Sequence, residues 1–468
     1  MDITVINGSP KSEISVTQQY IRFLEQNNPQ DSFSRIHVAR KLKSMERDPE
    51  TLADAVQKMA NADLIIWSFP VYYFLVPSQL KRFIELLFEH HADELRGKYY
   101  TCITTSIHFF DHTAHDYIRG ISEDLGMKHL PHLSAGMNDL LKDAFRTSYL
   151  RWFEDVSQRA MNNSIVAKSF QPVGRSDFVY EPGEIDTGRH SHAKNIALIS
   201  DADDSDTNLL AMEQTLVSSL QAKVDRISIK DLGLRGGCLG CLRCGWEGKC
   251  IYRDGFQETF RERILTADAI VFSAGVRDRF LSSRFKMFFD RSFFLGHRPE
   301  LEGKPLLWLV AGPLMQLHTL REVIQAHAGV SKAILVDIIT DEAENSETLD
   351  RLLAESAERL HRAIDHPIRT PRMFPAVAGS RTFRDFVYLT TAIFRADHLF
   401  YRKTGFYDFP QRKRAQRFSN FSLYWAMHIP SVRKKVQAQM TRLMLRPYEK
   451  IVGPLLDDKS EGTDQTQS

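Results

Sequence analysis

The chain has 468 residues, 43% hydrophobic and 26% charged, with a formal net charge of +2. That length and balance suit two or three ordinary domains and exclude a disordered or collagen-like chain. No apolar run approaches the ~18 residues of a membrane span, and the opening MDITVINGSP has neither the basic start nor the cleavage site of an export signal.

Taken in order, Ile3 to Ile6, Ser34 to Val38, Leu64 to Ser68 and Tyr99 to Thr105 read as strands. Val16 to Leu24, Thr51 to Met59 and Gln79 to Leu87 carry helical spacing between them. This alternation predicts an α/β domain over residues 1–165, a parallel sheet with helices on both faces. Residues 166–192, rich in Gly, Pro and charge, read as a linker. The pattern then restarts over residues 193–366, with strands at Ile196 to Ser200, Val224 to Ile229, Ala269 to Ser273, Leu306 to Ala311 and Ala333 to Ile339.

The restart is a repeat. Asn61 to Phe83 aligns without a gap on the second half at an offset of 205, with Ala62/Ala267, Asp63/Asp268, Ser68/Ser273, Ser78/Ser283 and Lys81/Lys286 among the identities. The expected fold is therefore two tandem doubly wound parallel sheets. A mostly helical, basic and aromatic extension over residues 367–456 and a polar tail over 457–468 complete the chain.

In the first copy, Gly8-Ser9-Pro10-Lys11 follows the first strand, with Ser15 and Thr17 ahead of the next helix. Amides, hydroxyls, one lysine and a helix N-terminus are what a phosphate monoester requires. The loop has neither the dinucleotide nor the triphosphate signature. The loops after the third and fourth strands hold Pro70-Val71-Tyr72-Tyr73 and Thr104-Thr105-Ser106, and in such a sheet these converge with the first.

N-G-S-P-K with its S-x-T, and P-V-Y followed by P-x-x-L-K-x-F, resemble the NAD(P)H-dependent FMN reductases of flavodoxin-like fold, which implies that both tandem sheets are flavodoxin-like. The resemblance implies that Ser9, Lys11, Ser15 and Thr17 hold the FMN phosphate. Pro70, Val71, Tyr72 and Tyr73 would line the flavin ring beside Thr104, Thr105 and Ser106, with NAD(P)H as co-substrate. His108, His112 and His115 would share a face of a helix, either as a metal site or as surface residues. Asp111 or His112 is the candidate proton donor beside the flavin.

In the second copy, Asp201-Ala-Asp-Asp-Ser-Asp206 replaces the phosphate loop, and Gly275-Val276-Arg277 replaces Pro70-Val71-Tyr72. At an effective dielectric of ~20 and ~5 Å, each carboxylate repels a unit negative charge by about 3 kcal/mol. One FMN per chain is expected. The second copy instead carries Cys238, Cys241, Cys244 and Cys250, four of the five cysteines, in a C-x2-C-x2-C-x5-C run. The residues alone leave open a cluster, zinc, a redox disulfide or packing. The run is similar to that of iron-sulfur flavoproteins, which implies a [4Fe–4S] cluster on these four thiolates. Clustered thiols also predict a reducing compartment, the cytoplasm.

Since each half keeps what the other lacks, an internal pseudo-dimer is expected, passing electrons to a small-molecule or protein acceptor. From Arg369 to Lys450 there are 17 Lys or Arg against four acids, interleaved with aromatics. Peripheral membrane contact through residues 369–450 is one reading, and a helical arm packed on the acidic domains is the other. No nucleic-acid partner is expected, for want of a binding motif. The alternative to an enzyme is a scaffold that kept the fold and lost the chemistry.

Overall fold

The computed structural model describes residues 1–183, 194–367 and 372–439. They belong to two units, Met1–Lys403 and the chain from Thr404 onward. The polar tail, residues 184–192 of the linker and residues 440–456 lie outside the described residues.

The first half runs β1 (Asp2–Asn7), α1 (Val16–Asn27), β2 (Ser32–His37), α2 (Val38–Arg47), α3 (Pro49–Asn61), β3 (Leu64–Pro70), α4 (Ser78–His90), β4 (Tyr99–Ser106), α5 (Asp111–Asp124), β5 (Lys128–His129), β6 (Leu133–Gly136) and α6 (Asp143–Met161). Its strands pair in parallel in the order β2-β1-β3-β4-β5, with β6 also on β4. Leu64 to Phe69 are all buried, as a central strand covered on both faces requires. Local signals set the helix starts: Asp48 accepts from the Glu50 amide ahead of Pro49, and Ser15 caps α1 by accepting from the Gln18 amide.

The second half repeats this with β7 (Asn195–Ser200), α7 (Thr207–Leu220), β8 (Lys223–Ser228), α8 (Arg243–Glu247), α9 (Phe256–Thr259), β9 (Ala269–Arg277), β10 (Phe280–Leu281), α10 (Ser283–Arg291), β11 (Pro305–Ala311), α11 (His318–Val330), β12 (Ile334–Thr340) and α12 (Ser346–Asp365). The order β8-β7-β9-β11-β12 is that of the first sheet, and short β10 pairs antiparallel with β9. Both halves are flavodoxin-like doubly wound sheets.

One apolar core, built from α3, α4 and α5 of the first half and α9, α10 and α11 of the second, is shared between the sheets. The outward faces have separate cores, under α1 and α6 on one side and α7 and α12 on the other.

Where α4 meets α10 the contacts are reciprocal at the offset of 205. The Ser78 amide donates to Asp290 at 2.7 Å, and the Ser283 amide donates to Glu85 at 2.6 Å. Lys81 pairs with Glu85 and donates to the Arg277 carbonyl, while Lys286 pairs with Asp290 and donates to the Tyr72 carbonyl. Each helix thus uses the same positions to reach across to the turn of the other copy. Those turns match too, with positive φ at Tyr73 and Phe74 and again at Asp278 and Arg279.

Two further helices, α13 (Phe374–Leu389) and α14 (Arg395–Lys403), belong to the first unit. Phe383 stacks on His297, and Asp397 accepts from the His297 amide and contacts its Nδ1. The second unit contains α15 (Arg414–Ala426) and α16 (Pro430–Ala438), where Phe418, Phe421, Tyr424 and Trp425 are exposed. No helix among the described residues is long and apolar enough to cross a membrane.

Candidate functional site: a phosphate cradle facing a cysteine loop

The loops after β1, β3 and β4 are tied into one surface. The Gly8 amide donates to the Ser68 carbonyl, the Gln18 side chain donates to Ser68 Oγ at 3.0 Å, and Thr17 and Thr105 share a hydroxyl contact of 2.6 Å. The Val71 amide donates to the Thr105 carbonyl, and β3 and β4 bring Pro70 opposite Thr105. Gly8 is required here, because a Cβ would lie 2.5 Å from Leu80 Cδ2.

Ser9 is buried with its hydroxyl accepting from the Lys11 amide, Ser15 is the cap of α1, and the Lys11 ammonium has no partner among the described residues. A free cation, seryl oxygens and the first-turn amides of α1 fit a phosphate monoester. Gln18 is a member of this surface that the sequence reading missed: its Oε1 is buried with no partner, and only its place after S-x-T marks it. Ser106 lies at the end of β4, where its hydroxyl accepts from the His108 amide.

The two tyrosines divide. Tyr72 presents its hydroxyl to the second domain's cysteine loop and packs edge-on against Phe293 at 5.7 Å. The Tyr73 ring is stacked on Phe289 at 5.2 Å, inside the aromatic seam between the halves.

Asp111 and His112 also part company. Helix α5 begins at Asp111, after left-handed residues at His108 and Phe110, so His108 is not on the helix. Burial raises the Asp111 pKa, but hydrogen bonds from Ser134 at 2.5 Å and with His108 at 2.9 Å outweigh it and hold the carboxyl below its usual range. Asp111 is therefore an acceptor at neutral pH. His112 turns outward to Glu322 at 2.9 Å, and His115 turns inward to Thr104 at 2.8 Å.

The corresponding surface of the second copy is filled by its own chain. Arg277 pairs with Asp206 at 2.7 Å, Asp203 accepts from Ser205, and Ser282 donates to buried Asp201. The acids are thus partly consumed by internal bonds rather than all turned toward a ligand. Linker residues also run across the three loops that would hold a flavin. Arg175 donates to the Val276 carbonyl, Gly174 and Gln316 exchange two hydrogen bonds, and the Tyr180 amide donates to Asn208.

Burial pushes the Asp201 carboxyl from 3.8 up to about 6, against the pull of Ser282 and Arg277. The folded state therefore holds that proton more tightly than the unfolded one. Its stabilising contribution is full below about pH 4 and is lost as pH rises through 6. Asp201→Asn, which cannot ionise, is expected to stabilise the protein by about 2 kcal/mol near pH 7 and by nothing near pH 4, as measured by denaturant unfolding at both pH values. An equal effect at the two would contradict the assignment.

Cys238, Cys241, Cys244 and Cys250 are all free thiols lining one recess, closed by Leu242, Phe293 and Phe294. Gly240 donates its amide to Cys238 Sγ at 3.4 Å, Gln79 of the first half donates to the Cys238 carbonyl, and buried Arg291 supports the Gly236 carbonyl while pairing with Asp254. Burial pushes the Cys238 thiol up to about 12 and Cys244 up to about 11.

A set of four thiols suits a zinc ion and an iron-sulfur cluster alike, and the Gly240 amide on Cys238 Sγ is the kind of support that a metal-bound thiolate receives.

The recess abuts the phosphate cradle. A Cβ on Gly240 would fall on the Tyr72 hydroxyl and 3.3 Å from Lys11 Cε, and a Cβ on Gly237 would fall on the Ser78 hydroxyl. The cysteine loop of one half therefore closes over the cradle of the other. Helix α14 holds it from outside, with Arg395 over the Trp246 ring at 5.3 Å.

Comparisons with known proteins agree with the tandem. A flavodoxin-like fold model matches residues 1–155, and an NADPH-dependent FMN reductase model matches residues 200–337. An iron-sulfur flavoprotein of Archaeoglobus fulgidus is 30% identical over 94 residues, which is 20% of this chain. The match spans 41% of that relative's length.

Among solved structures, the flavoenzyme NAD(P)H:(acceptor) oxidoreductase FerB of Paracoccus denitrificans is 12% identical with a TM-score of 0.28, over 34% of this chain and 97% of its own. An FMN-dependent NADH-azoreductase of Bacillus anthracis in complex with FMN is 14% identical with a TM-score of 0.26, over 35% of this chain and 99% of its own.

Proposed function

We propose, from a flavodoxin-like fold over residues 1–155 followed by an NADPH-dependent FMN reductase match over residues 200–337, that the chain is an FMN-dependent oxidoreductase. It takes hydride from NAD(P)H at the first domain and passes electrons toward an acceptor by way of the cysteine loop of the second. The observation that carries this reading is the seat of that loop directly against Lys11 and Tyr72 of the cradle.

Lys11 neutralises phosphate charge, while Ser9, Ser15 and Thr17 orient it at the N-terminus of α1. The main chain from Pro70 to Tyr72 and the hydroxyl of Thr105 border the space for the ring, whereas the Thr104 hydroxyl, expected there, is buried on the other face of β4 against His115. Bound there, FMN supplies a centre that accepts two electrons as hydride and releases them one or two at a time. Cys238, Cys241, Cys244 and Cys250 would hold a [4Fe–4S] cluster, a one-electron centre, with the Gly240 amide directed at Cys238. The internal pseudo-dimer keeps the two sites in one polypeptide, and the free thiols suit a cytoplasmic setting.

The test is anaerobic purification followed by iron, sulfide and flavin analysis. The expected result is four irons and one FMN per chain, with Cys238→Ala losing the iron-sulfur absorption and keeping the flavin. A colourless protein that takes up neither cofactor on reconstitution would favour the non-catalytic scaffold.

A further inference from the structure

Behind the cradle, on the face of β4 that meets α5, lies a second group of ligating side chains. Cys102, His115 and His132 each offer one ligand atom, all within 4.8 Å of one another. We infer that these three residues form a binding site for a single divalent metal ion of the zinc type, separate from the cysteine loop.

The chemistry of the group is that of ligands rather than of packing. Cys102 is fully buried in the middle of β4, two positions before Thr104 on the same face. His115 Nδ1 and His132 Nδ1 face each other at 3.2 Å. Neighbouring nitrogens bound at ~2.05 Å to one tetrahedral ion stand about 3.3 Å apart, so this spacing is already that of two vertices.

His115 Nε2 is held by Thr104 Oγ1 at 2.8 Å, the kind of outer hydrogen bond that orients a ligating imidazole. His132 Nε2 is buried with no partner. Without an ion one facing Nδ1 donates its proton to the other, and a bound cation would take the place of that shared proton.

The imidazoles would bind in their neutral form, and the Cys102 thiol would release its proton as the metal–sulfur bond forms. One thiolate and two imidazoles match zinc or cobalt better than magnesium or calcium, and three protein ligands leave a fourth vertex. Such an ion would fix α5 and the β5–β6 edge to the middle of β4, three residues before the cradle's Thr105.

The test uses the full chain with Cys238, Cys241, Cys244 and Cys250 all changed to Ser, so that Cys102 is the one remaining thiol. Titrated with Co2+, it is expected to bind one equivalent, with a thiolate-to-cobalt charge-transfer band and the strong visible absorption of a four-coordinate site. Adding Cys102→Ser should abolish the charge-transfer band, and adding His132→Gln should weaken binding at least tenfold.

A second measurement covers a folding failure of the multiple variant. Zinc retained by the otherwise unaltered chain after dialysis should fall by one equivalent in Cys102→Ser. Cobalt binding without the charge-transfer band, or zinc content unmoved by Cys102→Ser, would overturn the assignment.

Discussion

Gly240→Ala is expected to detach the cysteine loop from the phosphate cradle while leaving both sheets folded. Gly240 sits at φ +63°, a region that disfavours any residue with a side chain, and its missing Cβ makes room for the Tyr72 hydroxyl. Tyr72 has no easy retreat, since its ring is packed against Phe293 and its carbonyl accepts from buried Lys286. Left-handed strain and overlap together should cost the local structure about 2 to 4 kcal/mol, enough to speed amide exchange in the loop ~100-fold and to release the cluster proposed for it.

The control is Gly233→Ala. Gly233 has nearly the same φ, +62°, but nothing within 4 Å of the added carbon, so only the backbone term of ~1 kcal/mol applies. Hydrogen exchange by mass spectrometry and iron analysis read both variants. Equal effects from the two would show that the loop does not lean on Tyr72.

Glu85→Ala is expected to destabilise the protein by about 3 to 5 kcal/mol, far more than any charge on the outer surface. Its carboxylate receives Lys81 at 3.0 Å, the Ser283 amide at 2.6 Å and the Ser283 hydroxyl at 2.5 Å, all buried between the halves. Burial alone would raise this carboxyl, yet Lys81 and the Ser283 donors hold it below the usual range. Removing it leaves two Ser283 donors without their acceptor and takes from buried Lys81 the nearer of its two carboxylates, Asp278 remaining at 3.4 Å, the costly way to break a buried network. Glu89→Ala removes a solvent-exposed partner of Arg82 and should cost under about 1 kcal/mol. Chemical denaturation of both variants measures the difference. Comparable losses would mean that the contact between the halves carries little of the stability.

The repeat offset of 205 shows why some of this was legible in the sequence and some was not. Ser78/Ser283 and Lys81/Lys286 stand out as identities, but a gapless alignment cannot show that each pair reaches into the opposite copy. That depends on how α4 meets α10. Glu85 and Asp290 keep the offset and the charge while differing in type, so identity alone passes over them.

Cysteine spacing marks the loop in the sequence, but the reason for its Gly237 and Gly240 lies in Ser78 and Tyr72, over 150 positions away in the chain. Helical spacing put His108, His112 and His115 on one face. The helix begins three residues after His108, and its first turns send His112 and His115 in opposite directions. Cys102 carries no signal in the sequence because its neighbours His115 and His132 arrive from separate elements. Arg277 read as a lost flavin wall, and only the fold shows that it is also the partner of Asp206.

Fluorescence titration of the apoprotein with FMN reaches the heart of the account, which places a functional phosphate cradle in one half and a blocked one in the other. It should saturate at one equivalent per chain, and combined loss of Ser9 and Lys11 should raise the dissociation constant by at least a hundredfold. Two equivalents of FMN per chain, or binding that persists when both side chains are removed, would contradict it.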